Sequence, residues 1–299
     1  MTVRGWSSRT PGERRAALRA RLRSPEIVVA PGVFDMVSAR IADRQGFDAL
    51  YMTGYGAVAS YLGYPDAGIA CGTDMLDRVA QFAAITDTPM VCDGDTGYGG
   101  LLNVMHTVRS YEAAGACAIQ LEDQEAPKKC GHMLGRRVIP AREMADKIRV
   151  AVETRGDPGF LVIGRTDART GHGLDEALRR AELYARAGAD LLFIEGPESV
   201  EEMERIGRAF DLPLVVNLVP GGRTPILPFA QLQELGFRMA LCPVASLLAA
   251  AQASESVYAA LKARGSPTAA GVPSYDFQAF SRLMGFDWIA EFDKQYAQE

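Results

Sequence analysis

Eight short apolar runs recur along this chain, with segments of helical periodicity between them, and no other feature narrows the fold as far. The runs cover residues 27–31, 49–53, 90–93, 118–122, 161–165, 191–195, 214–217 and 239–243. They are continuous, β-branched and bounded by Gly, Pro or Asp, which is the pattern of strands buried on both faces of a parallel sheet. Helical patterns over 75–86, 102–114, 144–153, 174–187 and 200–210 intervene. Strand followed by helix, eight times over, predicts an α/β fold closed as a (β/α)₈ TIM barrel. Gly46, Gly115, Gly188 and Gly236 each stand just before a run and predict left-handed helix caps where the chain reverses. An open doubly wound sheet is the competing architecture, but no GxGxxG motif opens a helix after the first run.

One barrel with extensions suits 299 residues better than two domains. Residues 1–264 are assigned to the barrel, beginning with an amphipathic helix in which Ala16, Leu18, Ala20 and Leu22 follow Glu13. Residues 265–299 form a linker and two C-terminal helices carrying Phe277, Phe280, Leu283, Phe286, Trp288, Ile289 and Phe292. So apolar a tail needs a surface to pack on, either the barrel or a neighbouring subunit. A net charge of −5 argues against nucleic acid or an anionic membrane as partner. No apolar run reaches the ~18 residues that span a bilayer. The five scattered cysteines do not resemble a disulfide framework, and a cytoplasmic location is expected.

In such barrels chemistry sits at the C-terminal ends of the strands. Those positions hold Tyr51, Thr53 and Gly54; Asp93 and Asp95; Glu122; Arg165; Glu195; and Asn217. Asp93 and Asp95 are two apart, so in an extended chain both carboxylates face one side, and Glu122 on the next strand points into the same space. Carboxylates that close repel one another unless a cation intervenes. Mg²⁺, with Mn²⁺ as a substitute, suits oxygen ligands and retained waters, and Asp66 in the preceding loop could join from a distance. Zinc is disfavoured because no His or Cys stands at ligand spacing. Arg165 offers a planar fork for a substrate carboxylate, the alternative being an ion pair to Glu122 or Glu195. The polar loop 124–140 is too long for a mere connection. It carries Lys128-Lys129-Cys130-Gly131-His132, where cations beside a thiol favour thiolate and fit Cys130 for proton transfer, or where the Cys is incidental to a basic surface loop. Gly221-Gly222 is a weak phosphate-turn signal, and His106 and His172 receive no role.

Asp93-Gly94-Asp95-Thr96-Gly97-Tyr98-Gly99, Glu122-Asp123-Gln124, Lys129-Cys130-Gly131-His132 and Arg165-Thr166-Asp167-Ala168 together resemble the isocitrate lyase / phosphoenolpyruvate mutase superfamily. Within it the chain looks closest to the 2-methylisocitrate lyase and 2,3-dimethylmalate lyase-like members. The resemblance implies a barrel whose C-terminal helix is swapped with a partner subunit, usually in a homotetramer built as a dimer of dimers. It implies a carbon–carbon lyase that splits a 2-hydroxy di- or tricarboxylate to a 2-oxoacid and a carboxylic acid. Mg²⁺ would be held by Asp66, Asp93, Asp95 and Glu122. The 2-oxoacid would lie at Thr53-Gly54 and Arg165, with Glu195 and Asn217 at the strand ends around it. Cys130 is the expected general acid, His132 and Lys129 the expected carboxylate binders or thiol tuners, and Tyr51 a candidate base. Gly164, where Ala is common, is expected to widen the pocket. The alternatives are a phosphonate-type mutase or hydrolase, or an oxaloacetate hydrolase or decarboxylase, on the same metal site.

Overall fold

The computed structural model describes residues 7–131, 133, 135–266 and 271–296. Eight parallel strands close into a barrel in chain order: β1 (Val28–Val33), β2 (Leu50–Met52), β3 (Met90–Asp93), β4 (Ala118–Glu122), β5 (Leu161–Thr166), β6 (Leu191–Ile194), β7 (Leu214–Asn217) and β8 (Phe237–Cys242). β8 pairs back onto β1, with Val28 opposite Met239. The predicted runs coincide with β3, β4 and β7 and differ elsewhere by one or two residues at an end.

The helices among the described residues are α1 (Pro11–Arg23), α2 (Met36–Asp43), α3 (Gly54–Leu62), α4 (Gly72–Ile85), α5 (Leu101–Ala113), α6 (Ala141–Thr154), α7 (Ala168–His172), α8 (Leu174–Arg186), α9 (Val200–Gly207), α10 (Phe229–Glu234), α11 (Ala245–Arg264), α12 (Phe277–Met284) and α13 (Phe286–Tyr296). Gly46, Gly115, Gly188 and Gly236 have φ of 76°, 100°, 100° and 102°, the left-handed caps expected of them.

The predicted N-terminal helix forms, but its buried face is not the one the apolar residues suggest. Leu18 and Leu22 are buried together with Arg14 and Arg15, while Ala16 and Ala20 are exposed. The arginines are consumed by backbone carbonyls at the barrel's N-terminal end. Arg14 Nη1 donates to Ala83 and Thr86 (2.6 Å each), and Arg15 Nε donates to Ala116 (3.0 Å). Arg15 Nη1 also donates to Asp157 at 3.1 Å, which offsets the cost of burying that guanidinium, while Arg14 Nε is left without a hydrogen bond among the described residues.

Strand alternation sorts the core into two layers. Val91, Ile163, Phe193, Val215 and Met239 fill the barrel interior with Leu18 and Leu22 of α1. Their neighbours Cys92, Val162, Leu192, Val216 and Ala240 pack outward against the helices. Two residues on from Val91, Ile163, Phe193 and Val215, the interior parity carries Asp93, Arg165, Glu195 and Asn217 to the mouth. Gln120 and Glu122 continue the same parity on β4. The outward parity also decides Gly164: a Cβ there would meet Tyr184 Cβ at 3.2 Å and Ala189 Cβ at 3.4 Å. Gly164 therefore lets α8 approach β5 and does not widen the pocket, contrary to expectation.

Candidate active site

The barrel mouth encloses a cavity of about 280 Å³. Asp66, Asp93, Glu122, Lys128, Lys129 and Arg165 contribute its charged lining, and Cys130 and Gly131 of the loop 124–140 also line it. Tyr55, Val219, Pro220, Pro243, Val244 and Leu248 contribute apolar surface to its lining.

Asp93, Asp95, Glu122 and Asp66 are all buried, at 8% exposure or less. The reason Asp93 and Asp95 come together differs from the predicted one. Asp95 is not extended; its φ is 46°, and Tyr98 follows at 58°. A turn, not strand alternation, folds Asp95 back, and its amide donates to Asp93 Oδ1 at 3.0 Å. Left-handed backbone at non-glycine residues costs about 1–2 kcal/mol each, so the turn needs holding. Tyr111 Oη donates to the Asp93 carbonyl (3.2 Å) and shares a hydrogen bond with Tyr98 Oη (3.0 Å). The buried Lys147 donates to the Thr96 carbonyl at 3.0 Å. On the other side, a Cβ at Gly54 would lie 2.5 Å from Asp93 Oδ2, so only glycine allows α3 to begin against that carboxylate.

The cation among these carboxylates is Lys128, which the sequence reading passed over. Its ammonium contacts Asp66 Oδ1 and lies 2.6 Å from Asp95 Oδ1. Neither oxygen receives a well-directed hydrogen bond, so the contact is ionic rather than directional. Lys129 instead lies exposed at the rim, with Nζ 3.5 Å from the Gly135 carbonyl. Burial pushes the Asp95 carboxyl up to about 6 despite Lys128 beside it. Burial also raises Glu122 well above the usual range, against the pull of Arg165. Glu122 Oε1 makes no hydrogen bond within the described residues. Among those residues no three acidic, His or Cys side chains converge into a closed metal cage. Four carboxylates facing one ammonium still leave an excess of hard oxygen donors, which suits a hydrated dication better than a directly caged one.

Arg165 enters from β5 and is fixed on both sides. Nε and Nη2 donate to Asp167 Oδ2 and Oδ1 at 2.9 and 3.0 Å, Nη1 lies 3.3 Å from Glu122, and Nη2 lies 3.6 Å from Glu195. Burial works against its charge, but Asp167, Glu122 and Glu195 outweigh it and hold the guanidinium firmly protonated. Asp167 is oriented in turn by Asp123, whose carboxylate accepts from Asp167 N (2.8 Å), Thr166 Oγ1 (2.7 Å), Tyr184 Oη (2.7 Å) and Arg180 Nη1 (3.1 Å). Neither acid was singled out from sequence; the signal was their place beside Glu122 and Arg165 at the strand ends. Asn217 Nδ2 donates to Glu195 Oε2 at 3.2 Å.

Tyr51 Oη donates to Gln120 Oε1 at 3.3 Å, and Gln120 Nε2 to Asp93 Oδ1 at 3.4 Å. Burial, then Asp93, pushes the Tyr51 phenol well above its ordinary value. In this structure Tyr51 stands as a hydrogen-bond donor to Gln120. Thr53 N is spent on the Val33 carbonyl (3.3 Å), leaving the Gly54 amide at the start of α3 for an anion. Cys130 is half-buried at the cavity, its amide donating to the Asp66 carbonyl at 3.2 Å. His132 lies outside the described residues. Gly131 packs so closely that an added Cβ would stand 2.4 Å from Arg165 Nη2.

The family model for phosphoenolpyruvate phosphomutase matches residues 18–262. A 2,3-dimethylmalate lyase of Eubacterium barkeri is 46% identical over 284 residues, 94% of this chain and 98% of that protein. A crystal structure titled as 2,3-dimethylmalate lyase, a PEP mutase/isocitrate lyase superfamily member, superposes with a TM-score of 0.89 at 35% identity, covering 97% of this chain and 96% of that one. An oxaloacetate acetylhydrolase bound to 3,3-difluorooxalacetate gives 0.89 at 33% identity, covering 97% and 98%. The chain is therefore an enzyme of the phosphoenolpyruvate phosphomutase family, within the PEP mutase/isocitrate lyase superfamily.

Proposed function

We propose that this enzyme is a Mg²⁺-dependent carbon–carbon lyase, cleaving an alkylated 2-hydroxy di- or tricarboxylate of the alkylmalate or methylisocitrate type to a pyruvate-like 2-oxoacid and a carboxylic acid. The observation that carries this reading is one small cavity whose lining combines charged side chains, apolar side chains and Cys130. The charged side chains suit the 2-hydroxyl and its carboxylate. Val219, Val244 and Leu248 offer the alkyl substituents apolar surface that a phosphoryl group or an unsubstituted diacid would not need. The 46% identity to a 2,3-dimethylmalate lyase supports the same substrate class.

Asp66, Asp93, Asp95 and Glu122 would hold the hydrated dication. When bound, it supplies positive charge against which a developing enolate oxygen is stabilised. Arg165 and the Gly54 amide bind the carboxylate of the 2-oxoacid half, with Tyr51 donating from below. Glu122 Oε1, buried and without a hydrogen bond, is the acceptor available for the hydroxyl proton. Cys130 then delivers a proton to the departing carbanion beneath the loop, while Gly131 seals the loop against Arg165 and Glu195. Lys128 adds a fixed cation to the acidic side, and Lys129 and His132 are left to the leaving carboxylate at the rim.

A homotetramer with swapped C-terminal helices accounts for α11, which has no buried residue, and for Phe277 and Phe286, exposed at 75% and 60%. No helix among the described residues is long and apolar enough to cross a membrane, and the five cysteines are free, which suits a cytoplasmic enzyme.

The test is product analysis on malate, 2-alkyl- and 2,3-dialkylmalates, methylisocitrate, oxaloacetate and phosphonopyruvate, with Mg²⁺ or EDTA. Two carbon acids, formed only from alkylated hydroxy acids and only with metal, are expected. Oxalate released from oxaloacetate, or phosphorus moved or released, as the principal activity would replace this reading with one of its relatives.

A further inference from the structure

The loop 124–140 leaves and rejoins the barrel through a narrow neck. Gln124 bridges Val138, Glu125 N donates to the Arg137 carbonyl at 2.9 Å, and Ile139 N donates to the Asp123 carbonyl at 2.9 Å. Beyond the neck the outgoing limb places Lys128 among the site carboxylates. The returning limb sends Arg136 into the protein: its side chain is 2% exposed although the loop is at the surface. Arg136 Nη1 binds Asp167 Oδ1, and Nη2 donates to Thr170 Oγ1 at 2.7 Å. Asp167 Oδ1 is the same oxygen that accepts from Arg165 Nη2. One carboxylate oxygen is thus divided between two guanidinium groups, one belonging to the loop and one to the site.

We propose that Arg136 is a positioning residue that ties loop closure to the readiness of Arg165 for a substrate carboxylate. A carboxylate paired with a single bidentate arginine holds it strongly. Sharing Oδ1 with a second cation weakens the hold on Arg165 Nη2 and leaves more of that group's charge directed at the cavity. With the loop away, Asp167 has only Arg165 to satisfy it and draws the guanidinium down. With the loop closed, Arg136 takes part of that charge. Closure then does more than exclude water: it raises the affinity for the anion that it encloses, and by reciprocity the anion favours closure.

This inference rests on the reading of Arg165 as the carboxylate-binding group, so the experiment separates the two. Oxalate binding to the full-length enzyme with saturating Mg²⁺ is measured by titration calorimetry for wild type, R136M, R136K, R137M, R165M and R136M/R165M. Arg137 is the charge control: it is exposed and pairs with Glu125 at 2.7 Å. We expect R136M to weaken oxalate about tenfold, within the range of ordinary site-to-site coupling, with R136K partly restoring affinity and R137M matching wild type. On the R165M background, already weak, R136M should add nothing. Wild-type affinity in R136M, an equal loss in R137M, no recovery in R136K, or a full further loss in the double variant would each overturn the positioning role while leaving Arg165 in place. Unchanged affinity in R165M would instead remove the reading of Arg165 itself.

Discussion

Gly131→Ala tests the closed site most directly. The substitution adds one methyl group, and its backbone is outside the left-handed region, so Ala meets no conformational penalty there. The new Cβ would stand 2.4 Å from Arg165 Nη2, 3.0 Å from Glu195 Cγ and 3.1 Å from Glu195 Cδ. Ordinary contact is ~3.5 Å, so the overlap is about 1 Å. Arg165 is tethered by two hydrogen bonds to Asp167, and Glu195 meets the same Cβ, so the loop yields more readily than these side chains. The loop must therefore retreat by about that distance, carrying Cys130 with it. A 1 Å misplacement of catalytic geometry costs about 10²-fold in rate, or about 2.7 kcal/mol of transition-state stabilisation. The folded state loses nothing comparable: the loop is peripheral, and Gly→Ala at a permitted φ stabilises by ~0.4–1 kcal/mol through the unfolded chain. The assay is kcat/KM from a coupled 2-oxoacid assay, alongside the thermal midpoint. Activity within threefold of wild type would refute the packing argument. A fall in the midpoint of several degrees would show that the cost lies in folding rather than closure.

Cys130→Ser should lower kcat by roughly 10²–10⁴-fold with oxalate and Mg²⁺ binding retained, measured by steady-state kinetics and calorimetry; unchanged turnover would remove the acid role. Asp123→Asn removes one of the two carboxylates that pair with Arg180, Glu176 remaining at 2.8 Å, and unseats Asp167; it should cost about 1–3 kcal/mol in denaturant unfolding, and no measurable loss would show that the network repairs itself. Burial holds the Asp95 carboxyl up to about 6 in the metal-free protein, so protons and Mg²⁺ compete for it. Apparent Mg²⁺ affinity should weaken as pH falls through about 6 and level off above it, by calorimetry at pH 5, 6, 7 and 8; affinity flat across that range would mean that Asp95 takes no part in holding the ion.

What could be read from the sequence is what strand parity and turn glycines dictate. Eight buried runs announce the barrel, and the interior parity that ends in Asp93, Glu122, Arg165, Glu195 and Asn217 delivers these side chains to the mouth without further information. Features outside that periodicity were not legible. Asp95 reaches the cluster by a left-handed turn whose supports, Tyr111 and Lys147, lie on helices α5 and α6, far along the chain. Which of two adjacent lysines reaches the carboxylates depends on the path of an irregular loop: Lys128 does, while Lys129 lines the cavity from the rim. Gly54 and Gly56 open helix α3 despite glycine's poor helix propensity, because a Cβ would strike Asp93 Oδ2 at the first and Phe34 Cβ at the second. The burial of Arg14 and Arg15 goes against their charge, since the carbonyls that receive them come from two separate connections, those ahead of β3 and β4.

That last arrangement bears on how the chain reaches its final form. Helix α1 leaves a ribosome first, but its docking site is assembled from the segments ahead of β3, β4 and β5, and Leu18 and Leu22 share an interior with residues as late as Met239 and Leu241. Translation therefore delivers the floor of the vessel before any of its staves. α1 can meet its carbonyl partners early, but Leu18 and Leu22 are not fully enclosed until the eighth strand zips against the first, so barrel closure and completion of the floor become a single late, long-range event. Cutting the gene after β4 or β6 would leave a first helix with its polar partners and without the interior that buries its leucines.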